Sequence, residues 1–397
     1  MSEINSDTAR NVFGVLKKAL WNTGSARADE AVYEELKKHT VAALAAPVLQ
    51  ELNLPDDLLK KWEINCVRTF AIHQRCQMIQ ESLPISVPYV ILKGTSAAQY
   101  YPHPEFRAMG DIDIMTSHED YQTACENMLL HGCQENTDAV YKLITGRHRE
   151  FLVNGVELEI HSFYALRDSI EETKALDDLI IDHIGPDHVL PDLINGLTLI
   201  EHVNCHLDSG LGLRQIIDWM MFVDRCLPDD RWPEFEELAK RTGHVTLARV
   251  VTRMCEIYLG LSEHAWCRRI DPAICEALME YVYSCGNFGQ KKQSEHVVSE
   301  RLLSSSSWLS VFKSLEHHGV LHWKAAQKYR FLMPFAWVRQ TGKYMLRGIT
   351  RKNPVKKIKE EYKNSKKQKE LFDNIGLSRE KKGRVIFLNG EYIHNKK

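Results

Sequence analysis

The sequence predicts an α+β fold, a small sheet set between helical regions. Three observations predict it. Apolar residues keep helical spacing through both flanks of the chain; the spacing breaks at the proline-punctuated run "LPISVPYVILKG"; and an Asn154-Gly155 hairpin signal follows in the same central region. With 397 residues and 44 % apolar composition, the chain can bury a sizeable core in two or three compact regions.

From Thr8 to about Leu83 the reading is helical, with one stripe at Val12, Phe13, Val15, Leu16, Ala19 and Leu20 and a longer one from Leu58 to Ile79. Two prolines then discourage helix, and Tyr89 to Leu92 is a β-branched and aromatic run ending near a glycine, as a buried strand does. Gly94 and Thr95 open a short helix through Ala98 to Tyr101, stopped by Pro102 and Pro104. In "DIDIM" acid and aliphatic residues alternate, so Ile112 and Ile114 face the core and Asp111 and Asp113 share the opposite face. An amphipathic helix, "EDYQTACENMLLHGC", closes at Gly132. In "HREFLVNGVELEIHSF" two alternating runs flank Asn154-Gly155. A two-residue turn sets Val153 opposite Val156, Glu150 opposite Glu159 and His148 opposite His161, with Glu157 on the same polar face. After Leu190 the helical pattern returns and continues to about Gly319, broken at Ser304 to Ser307. The expected organisation is a helical region over 1–84, a sheet-bearing core over 85–190, a second helical region over 191–320 and a basic, aromatic-containing tail over 321–397.

No apolar run approaches the roughly 20 residues needed to span a bilayer. The N-terminus "MSEINSDTAR" lacks a basic patch before an apolar core, and a cytoplasmic location is expected. Ten cysteines, none in a C-x-x-C pair, read as reduced core residues. The net charge of -2 hides an asymmetry: Lys324 to Lys397 holds 21 Lys and Arg against 6 Asp and Glu, a net of +15, leaving -17 elsewhere. The tail can be a solvated end, can rest peripherally on an anionic membrane surface through "FLMPFAWVRQTGKYMLRG", or can bind nucleic acid.

Two like charges inside an apolar run need a reason. Carboxylates two residues apart on one strand face lie about 6.6 Å apart along the backbone, near enough to converge on a divalent cation. Magnesium, or manganese, takes such oxygens together with substrate phosphates. Glu157 and Glu159 offer the third carboxylate; Glu159 lies deeper from the turn and is preferred. Upstream, "VILKGTS" supplies a glycine, two hydroxyls and amides at a helix start, Gly94, Thr95 and Ser96, where a phosphate is stabilised. Lys93 and Arg107 are candidates to neutralise phosphate charge. Each residue also has an ordinary reading: Lys93 as a strand end in solvent, Arg107 as a partner of Glu105 or Asp111. His202 and His206, four apart on a helix, share a face and suit nucleotide contact or plain structure better than zinc. Arg214 and Asp218 have the spacing of a helix-surface pair.

"LKGTSAAQYYPHPEFRAMGDIDIM" closely resembles the uncharacterised nucleotidyltransferase family of the DNA polymerase β-like superfamily, and "VELEIHSFY" and "LIEHVNCHLDSGLGLRQIIDW" are similar to its later segments. The resemblance covers about Leu83 to Asp218. It implies a mixed-sheet core, a magnesium- or manganese-dependent transfer of a nucleoside monophosphate from an NTP such as ATP to an acceptor, and release of pyrophosphate. It carries the superfamily glycine to Gly94, the metal-binding pair to Asp111 and Asp113 and the third carboxylate to Glu159. The superfamily commonly has Gly-Ser or Gly-Gly where this chain has Gly-Thr-Ser. The acceptor is open: a protein, an RNA, a sugar phosphate or a small metabolite all fit. Alternatives are a non-catalytic scaffold working through the basic tail and an RNA-modifying toxin of the same superfamily.

Overall fold

Side-chain caps mark where the chain starts its helices. Ser6 accepts the Ala9 amide at the head of α1 (Asp7–Trp21), and Asp29 accepts the Val32 amide at the head of α2 (Glu30–Lys38). A 3₁₀ stretch, Ala42–Leu52, leads to α3 (Asp56–Gln80), whose inner face buries Leu58, Trp62, Cys66, Thr69, His73, Cys76 and Ile79 at helical spacing. The computed structural model describes residues 3–136, 147–207, 210–291, 366–377, 385–388 and 390–394.

Four strands follow the predicted pattern, β1 (Tyr89–Leu92), β2 (Asp111–Thr116), β4 (His148–Val153) and β5 (Val156–His161), and a two-residue β3 (Gln134–Glu135), which no alternating run marks, adds to the edge at β4. Between them lie α4 (Gly94–Ala98), a 3₁₀ turn at Pro104–Phe106, and α5 (Tyr121–Leu130). The sheet order is β1-β2-β5-β4-β3, with β2 and β5 parallel and the other neighbours antiparallel. The hairpin register is the one a two-residue turn dictates: Val153 pairs with Val156, Glu150 with Glu159, and His148 with His161. One face is apolar. Ile112, Ile114, Phe151, Val156, Leu158 and Ile160 pack there with Ala124, Cys125 and Met128 of α5 and Cys76 and Ile79 of α3. The acids are therefore left on the other face.

Helix resumes earlier than the apolar spacing indicates. Instead of waiting until Leu190, the chain forms α6 (Ile170–Ile181), because the Ser169 hydroxyl accepts the Glu172 amide and starts it. Then come α7 (Asp192–His206), α8 (Leu213–Cys226), α9 (Trp232–Arg241), α10 (Val245–Leu259) and α11 (Pro272–Cys285). Gly196 lets α7 meet α8 closely: a Cβ there would lie 2.2 Å from Phe222 Cζ.

The chain divides into two compact units, residues 1–291 with 380–396, and residues 292–379 with Lys397. The first includes a C-terminal hairpin, β6 (Val385–Leu388) and β7 (Glu391–His394). Phe387 stacks on His118 at 3.8 Å, and the Tyr392 hydroxyl donates to Asp177 Oδ2 at 3.0 Å. In the second unit the described residues are 366–377, of which 366–374 are helical. The serine break, the helical end near Gly319 and the interfacial segment from Phe331 to Gly348 lie outside the described residues. Among the described residues no helix is long and apolar enough to cross a membrane. The ten cysteines carry no disulfide; Cys133 and Cys205 are half-buried and the rest buried.

Candidate active site

The site grows from strand register. Because β2 and β5 run parallel, Asp111 sits beside Glu157 and Asp113 beside Glu159 on strands about 4.8 Å apart. Glu157 is exposed, whereas Glu159 is half-buried and Asp113 is buried. Asp111, Asp113 and Glu159 therefore form one corner. On β4, His148 and the buried Glu150 extend the same polar face.

Lys93 joins β1 to α4. Its backbone takes φ 51° and ψ -137°, a sparsely populated conformation for a residue with a Cβ, and Gly94 follows at φ 35°. This elbow turns the lysine back onto the strand face, so that Nζ lies 2.6 Å from Asp113 Oδ1. The strand-end lysine is thus directed into the site and not into solvent. The Ser96 hydroxyl donates to the Lys93 carbonyl at 2.7 Å and reaches Asn195 Oδ1 at 3.3 Å, while Asn195 Nδ2 donates to the Ser96 carbonyl at 2.9 Å. Thr95 donates to Gln80 Oε1 at 2.9 Å.

Arg107 is buried and pairs with neither Glu105 nor Asp111. Its Nε donates to Asp218 Oδ1 at 3.0 Å and its Nη2 to Oδ2 at 2.6 Å, while the Tyr101 hydroxyl donates to the same Oδ1 at 2.7 Å. Arg214 and Asp218 are consequently no surface pair: both are buried, and Arg214 Nη1 donates to the Ala108 carbonyl at 3.2 Å. On α7 the rings of His202 and His206 meet edge to face at 4.7 Å.

His161 joins the carboxylate cluster. Fully buried, it places Nε2 at 2.8 Å from Asp113 Oδ1 and 3.3 Å from Glu159 Oε2. His148 Nε2 lies 3.7 Å from both Glu159 Oε1 and Glu150 Oε1. The cross-strand pairing of His148 and His161 carried that signal, since register brings one ring beside the other.

A family model described as uncharacterised nucleotidyltransferase matches residues 25–260, well over half of the chain. The chain belongs to this nucleotidyltransferase family. No curated protein and no solved structure matches it. The match extends the nucleotidyltransferase region beyond the segment from Leu83 to Asp218 in both directions, taking in α2 and α3 at one end and α9 and α10 at the other. Membership supports nucleotidyl transfer as the general activity and a nucleotide as substrate.

Charge in this carboxylate corner is finely opposed. Burial, then the neighbouring Asp113 charge, pushes the Asp111 carboxyl up, and Lys93 only partly counters this. Burial would also raise the Glu159 carboxyl, but the hydrogen bond and charge of His161, with Lys93 and His148, outweigh it and hold it down. For Lys93, burial favours the neutral amine; Asp113, Asp111 and Glu159 outweigh that and keep it charged. Burial, with the nearby Lys93 and Arg214 charges, drives His206 down to about 3. His202 falls well below its ordinary value for the same first reason, aided by His206. Both imidazoles are neutral near pH 7.

Proposed function

We propose that the protein transfers a nucleoside monophosphate from an NTP to an acceptor hydroxyl or similar nucleophile, releasing pyrophosphate. The observation that carries this reading is the convergence of Asp111, Asp113 and Glu159 from two parallel strands at the foot of the Lys93-Gly94 elbow. Three carboxylates in a partly buried corner, where Asp111 resists ionising alone, fit a hard divalent cation such as magnesium. When bound there, the cation would lower the pKa of an attacking hydroxyl and stabilise the departing pyrophosphate.

The chain's own residues do the rest. Lys93, held charged beside Asp113, is free to swing from the carboxylate to a phosphate oxygen when a cation takes its place. Gly94 leaves the backbone uncovered: a Cβ there would meet nothing nearer than Met109 Sδ at 3.6 Å. Thr95, half-buried, offers the more accessible hydroxyl, and Ser96 steadies the elbow through the Lys93 carbonyl and Asn195. Arg107 acts one step back, fixing the turn before β2 onto α8 through Asp218. Arg214 carries positive charge towards Asp111.

The test uses the full chain with each α-phosphate-labelled NTP, magnesium and a cell extract. Label should enter one acceptor fraction in a magnesium-dependent manner and disappear with Asp111→Asn. Absence of label with every NTP, together with no magnesium-dependent NTP binding by calorimetry, would overturn the proposal.

A further inference from the structure

We propose that His148, Glu159 and His161 form a site for a divalent transition-metal ion of the manganese, cobalt and zinc type. Glu159 belongs to this set and to the carboxylate set, but the inference does not depend on the transfer reaction.

The argument begins with register. Antiparallel pairing of β4 with β5 puts His148 directly opposite His161, and Glu159 stands two residues before His161 on the same face. The three side chains therefore rise from a rigid sheet and not from loops. One ligand atom from each lies within 4.8 Å of the others. Ligand atoms held tetrahedrally at about 2.1 Å from a cation are about 3.4 Å apart. Each histidine approaches one Glu159 oxygen near that value: Oε2 is 3.3 Å from His161 Nε2, and Oε1 is 3.7 Å from His148 Nε2. Ligation requires side-chain rotations that draw the three donors inward from within 4.8 Å of one another.

Donor chemistry selects the ion. Magnesium and calcium prefer oxygen, whereas two imidazoles and a carboxylate suit first-row transition metals. The side chains are shielded as well, at 10 % exposure for His148, 16 % for Glu159 and 1 % for His161. Ligation by His161 Nε2 displaces its hydrogen bond to Asp113 Oδ1. That oxygen keeps a partner, because Lys93 Nζ is already 2.6 Å away. Glu150, buried beside His148 and hydrogen-bonded by Asn136 Nδ2 at 3.0 Å, adds negative charge that favours cation entry.

Metal-stripped full-length protein should be titrated with Co²⁺ and followed by visible absorption. The expected result is a saturable band of nitrogen-ligated Co²⁺, bleached by Zn²⁺. His148→Ala and the milder His148→Gln should weaken Co²⁺ binding roughly tenfold or more, while Asp111→Asn and His206→Asn retain the band. No band, or a band unchanged in the folded His148 variants, would overturn the inference. Should both variants fail to fold, the wild-type protein decides through its NMR spectrum: two paramagnetically shifted histidines that persist in His206→Asn support the site, and fewer than two exclude it. Loss of the band with magnesium-dependent transfer intact sinks this site alone; a His148-dependent band without transfer sinks only the transfer reading.

Discussion

Arg107 and Asp218 form a buried, bidentate ion pair that ties the turn before β2 to the middle of α8. Removing one partner strands the other charge away from water, which costs about 3–5 kcal/mol. Asp218→Asn should therefore lower the urea midpoint steeply. The Arg107→Met, Asp218→Leu double variant should recover much of the loss, since no charge is then left alone. A guanidinium occupied in this way also predicts an order of effects: Arg107→Lys should lose stability, with any rise in KM for the nucleotide secondary. A large KM effect at unchanged stability would instead give Arg107 a direct phosphate contact.

Asp177 predicts a pH slope. Burial pushes its carboxyl up to about 7, although the Tyr164 and Ala165 amides and the Tyr392 hydroxyl donate to it. A folded pKa above the unfolded one contributes stability that is full below the unfolded value and is lost as pH rises through the folded value. Across that window the loss is on the order of 4 kcal/mol. Urea unfolding between pH 4 and 8 should show stability falling on this account as pH rises. Asp177→Asn keeps an acceptor for the two amides, so it should flatten the slope and be the more stable form above pH 7.

Asp111 and Asp113 should separate activity from stability. On the proposed function either Asp→Asn change removes a cation ligand, so transfer should fall by about a thousandfold or more. Stability should respond differently. The Asp111 carboxyl is raised, so its ionisation opposes folding near neutral pH, and Asp111→Asn should not lower the thermal midpoint. Asp113 is buried against Lys93, and Asp113→Asn weakens that pair, so its midpoint should drop. Differential scanning calorimetry of both variants checks the contrast.

Thr95 and Ser96 should also part company. The Ser96 hydroxyl holds the Lys93 carbonyl, and Ser96→Ala should cost about 1 kcal/mol of stability. Thr95 gives up only a bond to Gln80, so Thr95→Ala should raise KM for the nucleotide with little change in the urea midpoint. Equal stability losses would assign both hydroxyls to the scaffold.

Much of the sheet was legible because its signals are local. Alternation in "DIDIM" set Ile112 and Ile114 in the core, and Asn154-Gly155 fixed every pair of the β4–β5 hairpin, including Glu150 with Glu159. The start of α6 is equally local, in Ser169 and Glu172, but it is marked by a cap and not by apolar spacing. What sequence alone could not supply were partners brought together by tertiary packing. Arg107 has acids close by in the chain, yet its partner lies on α8; Arg214 and Asp218 have surface-pair spacing, yet both are buried because α8 is buried almost all round. Likewise, nothing in the spacing of His161 announces Asp113, which only the parallel β2–β5 pairing brings near.

Glu157 and Glu159 give the sharpest test of that pairing, since they differ by one step along the same strand face. In the β2–β5 register Glu159 adjoins Asp113 and approaches His161, while Glu157 adjoins Asp111 but stands exposed near the turn. Glu157→Gln should leave kcat and KM within about twofold of wild type, because an exposed carboxylate contributes little. Glu159→Gln should abolish transfer and weaken cation binding. It also removes an ionised carboxylate held low by His161, whose contribution to stability exists above its unfolded pKa and is lost as pH falls. The stability gap between Glu159→Gln and wild type should therefore be widest near neutral pH and shrink under acid. A Glu157 variant that loses transfer while Glu159→Gln keeps it would mean that the acid nearer the turn, beside Asp111, completes the site.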